Sequence, residues 1–350
     1  MPSSQLPDRT RPAGTDVARL AGVSQKTVSR VMNNEPYVRE ELRERVLRAA
    51  QQLGYRPNGA ARTLTSGRTG RLGVACLGAG LYGPTSMLVA VERSARLLGY
   101  ATCVAHTSPE DGHGLVGAVE SLLEQGVDGI VLIEATDEGP LKLSTNVPVL
   151  TLGRFPGLVA ARRIRADEHS NRSGHTATRH LIALGHRQIR HVAGPQRWWA
   201  ARDRSEGWRT ALVEAALPVT EPIEGDWSCA SGFAAGSLLA RDEAMTAVFA
   251  ANDDMAIGLI RALTDAGRRV PQEVSVVAMD DLPASRYLRP ALTTVARDFD
   301  AIAVDGVAAL IREIAEPGTA ARTVAEREPR LIVRESTAPA PGRDRRPQAD

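Results

Sequence analysis

The sequence predicts a small helical head, a short linker and a larger α/β body built as two doubly wound parallel-sheet subdomains, and three observations carry that prediction. Two short amphipathic stretches flank Gly22 within residues 15–33. From residue 70 onward, short apolar runs alternate with stretches of helical period, the pattern of parallel sheets covered by helices. The charge divides with the pattern: the first 70 residues hold twelve bases and six acids, net +6, whereas the remaining 280 hold 31 bases and 35 acids, net −4. A basic head on a mildly acidic body is the footprint of a nucleic-acid binder whose larger part does something else.

Taken in order, residues 1–14 are polar and contain prolines, which reads as a disordered leader without the apolar segment of a secretory signal. Val17, Ala18, Leu20 and Ala21 then form one apolar face and Val28, Val31 and Met32 a second. Gly22 suits a turn of positive φ, and Ser24 can cap the helix that follows. This is a helix-turn-helix, with an ordinary αα-hairpin as the plain alternative. Its second helix turns Gln25, Lys26, Thr27, Ser29, Arg30 and Asn33 outward, donors and acceptors able to meet phosphates and base edges. A third helix is expected over 40–53, with Leu42, Val46, Leu47, Ala50 and Leu53 at helical spacing and Gly54 as its stop. The head thus spans 15–56 and a linker 57–69. In the linker Asn58 can cap a short helix through Leu64, but Ala60, Ala61 and Leu64 are too little apolar surface to hold it alone.

In the body, strands are expected at 72–77, 101–105, 128–133 and 147–152, with helices at 84–99 and 114–126 between them. A second run follows: helix 171–185, strand 188–193, helices 202–217 and 230–241, strand 247–250, helix 253–267 and strand 274–279. A helix at 300–315 and a strand at 330–333 return to complete the sheets, and 336–350 reads as a disordered Pro/Arg-rich tail. Hydrophobic residues make up 43% and charged residues 24%, the balance of a soluble globular protein. No apolar run approaches the roughly 20 residues that span a bilayer, so the expected location is cytoplasmic, with no membrane partner. Cys76, Cys103 and Cys229 form no CxxC pair, against both a disulfide framework and a zinc site.

The stretch 15–33, Gly54-Tyr55-Arg56-Pro57-Asn58 and Ala61-Arg62-Thr63-Leu64 resemble the head and hinge of the LacI/GalR family of bacterial transcriptional repressors. The resemblance implies that Gln25, Lys26 and Arg30 read the major groove while Ser24, Thr27, Ser29 and Asn33 mainly hold phosphates. It implies a hinge helix over the Asn58 segment, whose Leu64, beside Ala61, wedges into the minor groove, a recurrent way of bending DNA. Residues 70–335 resemble the family's periplasmic-binding-protein-like effector and dimerisation domain, through the motifs at 180–187, 193–195, 250–253, 269–276 and 292–295. Two helix starts depart from the family pattern. Ala13-Gly14 precede Thr15, which is left to cap the first helix, and Arg39 stands where Ser or Thr commonly caps the third.

Gly78-Ala79-Gly80-Leu81-Tyr82-Gly83 satisfies the glycine spacing of a dinucleotide loop. No acid near His106 is placed to take a ribose hydroxyl, and Pro84 is expected to delay the helix. Leu81, Tyr82 and Pro84 therefore suit one wall of an effector cleft, and no cofactor is expected. Residues 225–233 resemble the family segment that carries a sugar-stacking tryptophan. The resemblance makes Trp227 an apolar face for a pyranose ring and Arg204, Asn252 and Asp280 its polar partners. Trp198 and Trp199 suit a second aromatic wall, whereas Gly153 replaces a common family Asp. The seven histidines show no HExxH spacing and no nucleophile elbow or P-loop occurs, which argues against an enzyme. The expectation is a homodimeric regulator, most often a repressor in this family, that binds a near-palindromic double-stranded DNA operator under control of a sugar-like effector, a galactoside or oligosaccharide, whose binding closes the subdomains. The competing readings are a sugar-binding receptor without a DNA role and an α/β enzyme using a nucleotide cofactor.

Overall fold

The computed structural model describes residues 12–32, 36–55, 67–107, 114–166, 170–325 and 327–342. Asn33, Asn58, Ala61, Leu64 and the expected hinge helix lie outside them. The chain divides into two compact units, 1–69 and 70–350.

In the first unit α1 (Gly14–Ala21), α2 (Gln25–Met32) and α3 (Glu40–Leu53) enclose Val17, Ala18, Ala21, Val28, Val31, Val46, Ala49 and Ala50. Gly22, at φ 60°, ends α1 in the left-handed conformation. Ser24 Oγ accepts the Thr27 amide at 3.1 Å and so caps α2. Thr15 does not cap α1. The helix begins at Gly14, inside the expected leader, because the Asp16 carboxylate reaches back to accept the Ala13 amide at 3.0 Å. Arg39 leaves the start of α3 without a side-chain cap. Leu20 and Leu47 are 51% and 48% exposed; Leu20 lies about 100° round the helix from the centre of the Val17, Ala18, Ala21 stripe and misses the core.

In the second unit β1 (Arg71–Leu77), α4 (Tyr82–Leu97), β2 (Ala101–Thr107), α5 (Gly114–Glu124), β3 (Gly129–Ile133), β4 (Val149–Leu152) and β5 (Arg163–Ala166) form a parallel sheet of order β2-β1-β3-β4-β5. The chain continues as α6 (Asn171–Ala183), β6 (Ile189–Ala193), α7 (Trp199–Glu214), β7 (Ile223–Glu224), α8 (Cys229–Leu239), β8 (Ala247–Ala250), α9 (Asp253–Asp265), β9 (Ser275–Met279) and β10 (Thr293–Ala296). Helix α10 (Phe299–Ala315) then returns to the first sheet, where Ala303, Val307 and Leu310 meet Leu150 and Leu152. Strand β11 (Arg330–Ile332) closes the second sheet, of order β11-β10-β9-β8-β6-β7, and pairs antiparallel with β10. The two subdomains are therefore not consecutive in the chain.

Three strands are absent from the sequence reading. In β5 arginines alternate with Ile164 and Ala166, β7 has two residues, and β10 is half threonine, so none offers an apolar run. The tail expected from residue 336 is instead packed as far as it is described. Ser336 is fully buried and its hydroxyl donates to Val276 O at 2.6 Å, while Ala338 O lies 3.0 Å from His186 Nε2. Those contacts are largely to backbone groups, which composition does not reveal.

Sheet order reverses between β1 and β3 in the first subdomain and between β6 and β8 in the second. Crevices beyond the carboxyl ends of strands at such points are the usual binding places of open α/β sheets. The loops leaving all four strands converge on one cavity.

Candidate functional site

That cavity lies between the two subdomains and is lined by Leu81, Tyr82, Pro84, Arg204, Trp227, Asn252 and Asp280 together. The seven residues singled out from five distant stretches of sequence thus share one site. Helix α4 starts at Tyr82, so Pro84 does not delay it. Proline fits the first turn, where its missing amide hydrogen has no helical partner.

The ring of Trp227 rests on Gly194, where an added Cβ would lie 2.2 Å from it. Asn252 accepts the Met255 amide at 3.0 Å, capping α9, and donates to Trp227 O at 3.0 Å. Each end of the Asn252 amide thus makes one backbone bond, which holds Trp227, and keeps one further donor and one further acceptor site. Arg204 donates from Nη1 to Ala251 O at 2.6 Å and from Nη2 to Asp280 Oδ1 at 3.5 Å, and its guanidinium lies 5.2 Å from the Trp227 ring centre. The apolar face expected to receive a sugar is thus covered by Arg204. Arg204 Nε and Trp227 Nε1 are buried without a hydrogen-bond partner. Trp198 stands edge-on to Trp227, 5.9 Å between centres. Trp199 does not line the cavity; it lies between Arg154 and Arg202, 5.3 and 4.5 Å from their guanidinium carbons. The free volume is about 30 Å³, against the roughly 300 Å³ or more of pockets that hold small molecules.

Backbone strain collects at this site. Of the five described non-glycine residues with positive φ, Glu134 (59°), Trp227 (74°) and Asp280 (108°) line the cavity, a clustering typical of functional positions. Sequence reasoning missed Glu134, whose carboxylate forms an ion pair of 3.5 Å with Arg297, both side chains under a tenth exposed. The available signal was an acid directly after a fully apolar strand. Gly153 lies beside it with φ 106°, a conformation that favours glycine, and a Cβ there would make only an ordinary contact with Glu134 Oε2 at 3.6 Å. Burial, with help from the Glu134 charge, pushes the Cys76 thiol up to about 12. Asp253 accepts from the Ser285 and Thr294 hydroxyls, each at 2.6 Å, and from the Leu282 amide at 2.7 Å. Burial nevertheless raises its pKa to about 7, and it acts as a buried tie between α9, the 282–285 turn and β10.

In the head, Ser24, Gln25, Lys26 and Ser29 are exposed on α2, with Thr27 and Arg30 half-buried. The Ser24 and Thr27 hydroxyls are 2.9 Å apart. Among the described residues no group of His, Cys, Asp and Glu is arranged to hold a metal ion, and no helix is long and apolar enough to cross a membrane.

A helix-turn-helix head and a ligand-type cleft at paired switch points define a ligand-responsive DNA-binding regulator as the class. Residues 15–58 match the family described as bacterial regulatory proteins, lacI family, and residues 178–337 match the periplasmic binding protein-like domain. The chain is 36% identical over 289 residues to the lactose operon repressor of Escherichia coli K12, covering 81% of this chain and 79% of that protein. It is 32% identical over 330 residues to the transcriptional repressor PurR of Haemophilus influenzae (strain PittEE), covering 92% and 97%. The solved lac repressor dimer bound to operator and the anti-inducer ONPF matches with TM-score 0.78 and 31% identity, over 94% of this chain and 100% of that one. A complex of the regulator CelR with cellobiose matches with TM-score 0.69 and 31% identity, over 93% and 100%. The chain belongs to the lacI family of bacterial regulatory proteins. It is a DNA-binding transcriptional repressor of the effector-controlled kind, and the relatives named above are repressors rather than enzymes.

Proposed function

We propose that this repressor is a cytoplasmic homodimer whose two heads occupy the half-sites of a near-palindromic operator, and that a sugar-like effector held by Leu81, Tyr82, Pro84, Arg204, Trp227, Asn252 and Asp280 controls its grip. On the DNA side Gln25, Lys26 and Arg30 read base edges, Ser24, Thr27, Ser29 and Asn33 hold phosphates, and the Asn58–Leu64 hinge places Leu64, beside Ala61, in the minor groove. The observation that carries the effector reading is the convergence of Trp227, Arg204 and Asp280 on one strained, buried cavity between the subdomains. An aromatic ring next to unpartnered donors suits a ligand with an apolar face and hydroxyl acceptors. The CelR structure holds a disaccharide, cellobiose, in keeping with a glycoside or oligosaccharide here. For nearly complete release of the operator the effector must favour the released state by about 5.5 kcal/mol.

Calorimetry of the full chain with a panel including lactose, galactose and cellobiose tests the effector. At least one sugar should bind to wild type and fail to bind to Trp227→Ala; binding that survives this substitution unchanged sinks the cleft assignment. For the DNA side, footprinting should protect a near-palindrome, and Leu64→Ala should weaken specific binding while leaving nonspecific binding nearly intact.

A further inference from the structure

The cavity is not merely small; protein side chains fill it and its rim is tied. The indole of Trp198 occupies a niche over Gly78 in the first subdomain, where a Cβ would come within 2.5 Å of the ring. Trp198 belongs to the second subdomain, so its ring crosses the cleft. At the rim, Thr136 and Trp198 form an antiparallel bridge. The Asp137 amide donates to Arg197 O at 2.7 Å and the Trp199 amide to Ala135 O at 3.2 Å. Outside this two-strand contact, Arg202 pairs with Asp137 at 2.9 Å and Arg154 pairs with Asp203. The indole of Trp199 is held between those two arginines. The bridge, both amide bonds, both ion pairs and the contact of Arg154 with Trp199 join residues 135–154 to residues 197–203, across the mouth of the cleft.

We propose that Trp198 is a built-in occupant of the effector cleft and that the contacts of residues 135–137 and 154 with 197–203 form a latch that keeps it there. A ligand enters only after the latch parts and the indole withdraws from Gly78. This rests on the assignment of the cleft as the effector site and changes its mechanism: the ligand-free cleft is shut, and binding begins with opening rather than closure. Apparent affinity is then the intrinsic affinity reduced by the fraction of molecules that are open. Weakening the latch at a residue that touches no ligand must therefore tighten binding, whereas loss of a mere stabilising contact leaves it unchanged or weaker.

Arg202→Ala and Asp137→Ala separate these outcomes, since both side chains are more than a third exposed and neither lines the cavity. Exposed ion pairs and cation–π contacts are individually weak, so cellobiose or lactose should bind each variant about three- to tenfold more tightly than wild type by calorimetry. Stopped-flow tryptophan fluorescence should show correspondingly faster association. Equal or weaker binding by both variants overturns the latch. A second arm needs no ligand: in the full chain the amides of Asp137 and Trp199 should exchange hydrogen slowly, and about tenfold faster in Arg202→Ala. If those amides exchange in wild type as fast as an exposed loop, the proposal is likewise overturned. If no sugar binds any form, the effector reading fails, and the exchange result alone decides whether the cleft is latched.

Discussion

Two aromatic clusters in the same subdomain are built from similar parts to different ends. In the first, the His191 ring stacks 4.8 Å from Phe249 with planes 6° apart and 5.3 Å from Trp208, while its nitrogens meet Phe249 O at 2.9 Å and Ser205 Oγ at 3.0 Å. In the second, Trp198 and Trp227 meet edge to face with Arg204 over one ring. Both are buried, and both hold an indole N–H without a partner, Trp208 as well as Trp227. Burial and an orphaned indole therefore do not mark a binding site. What differs is that the second cluster faces the other subdomain, rests on a glycine from each, carries a residue at φ 74° and buries a guanidinium nitrogen with no acceptor. Apart from the Trp208 N–H, the core cluster has spent its polar groups, whereas the cleft cluster keeps a charged donor in reserve at the cost of strain.

The comparison breaks most decisively at Trp208. Trp208→Ala removes a fully buried indole and should cost about 3–5 kcal/mol in urea unfolding; a cost as small as that of a surface substitution would mean that this cluster is not core.

Next in size is a pH effect at His191, whose pKa burial lowers from 6.5 to about 4. Above pH 6.5 neither state takes the proton. Below it the unfolded chain does and the native one does not, so stability falls as the pH drops from 6.5 to 4, by about 3 kcal/mol in all. Burial also lowers the pKa of His180 and His186, adding slope of the same sign, whereas the raised Asp253 adds slope of the opposite sign. The quantity to read is the difference between wild type and His191→Gln in urea titrations from pH 7.5 to 4.5, which should be a flatter curve for the variant.

In the cleft cluster, Gly194→Ala drives a methyl group into the Trp227 ring. It should cost about 1–3 kcal/mol and abolish sugar-induced operator release in a gel-shift titration, while operator binding itself persists. The smallest effect is expected for Ser205→Ala, which removes one partner of His191: about 1 kcal/mol by thermal unfolding, with sugar binding unchanged.

Local chemistry was legible without a structure. Gly22 and Ser24 announced the turn of the head because a left-handed residue and a cap are properties of one or two positions. The alternating body could be read because buried parallel strands are apolar on both faces. The seven cleft residues could be placed because they sit in loops after strands or at helix starts, and the resemblance pointed to the same stretches. Other features depended on which distant residues meet. Asn252 turned to the backbone, Arg204 covered the ring it was expected to share with a ligand, and Glu134 found Arg297 some 160 positions away. The tail from Ser336 became a packed strap through main-chain contacts, and Trp198 became the occupant of its own cleft.

Periodicity, turn residues and strand ends act within a few residues, so the class of elements, the helix-turn-helix and seven residues of the cleft could be read from the sequence. That the cleft is filled and latched could not be read there, because packing across two subdomains depends on the shapes that remain once both are folded.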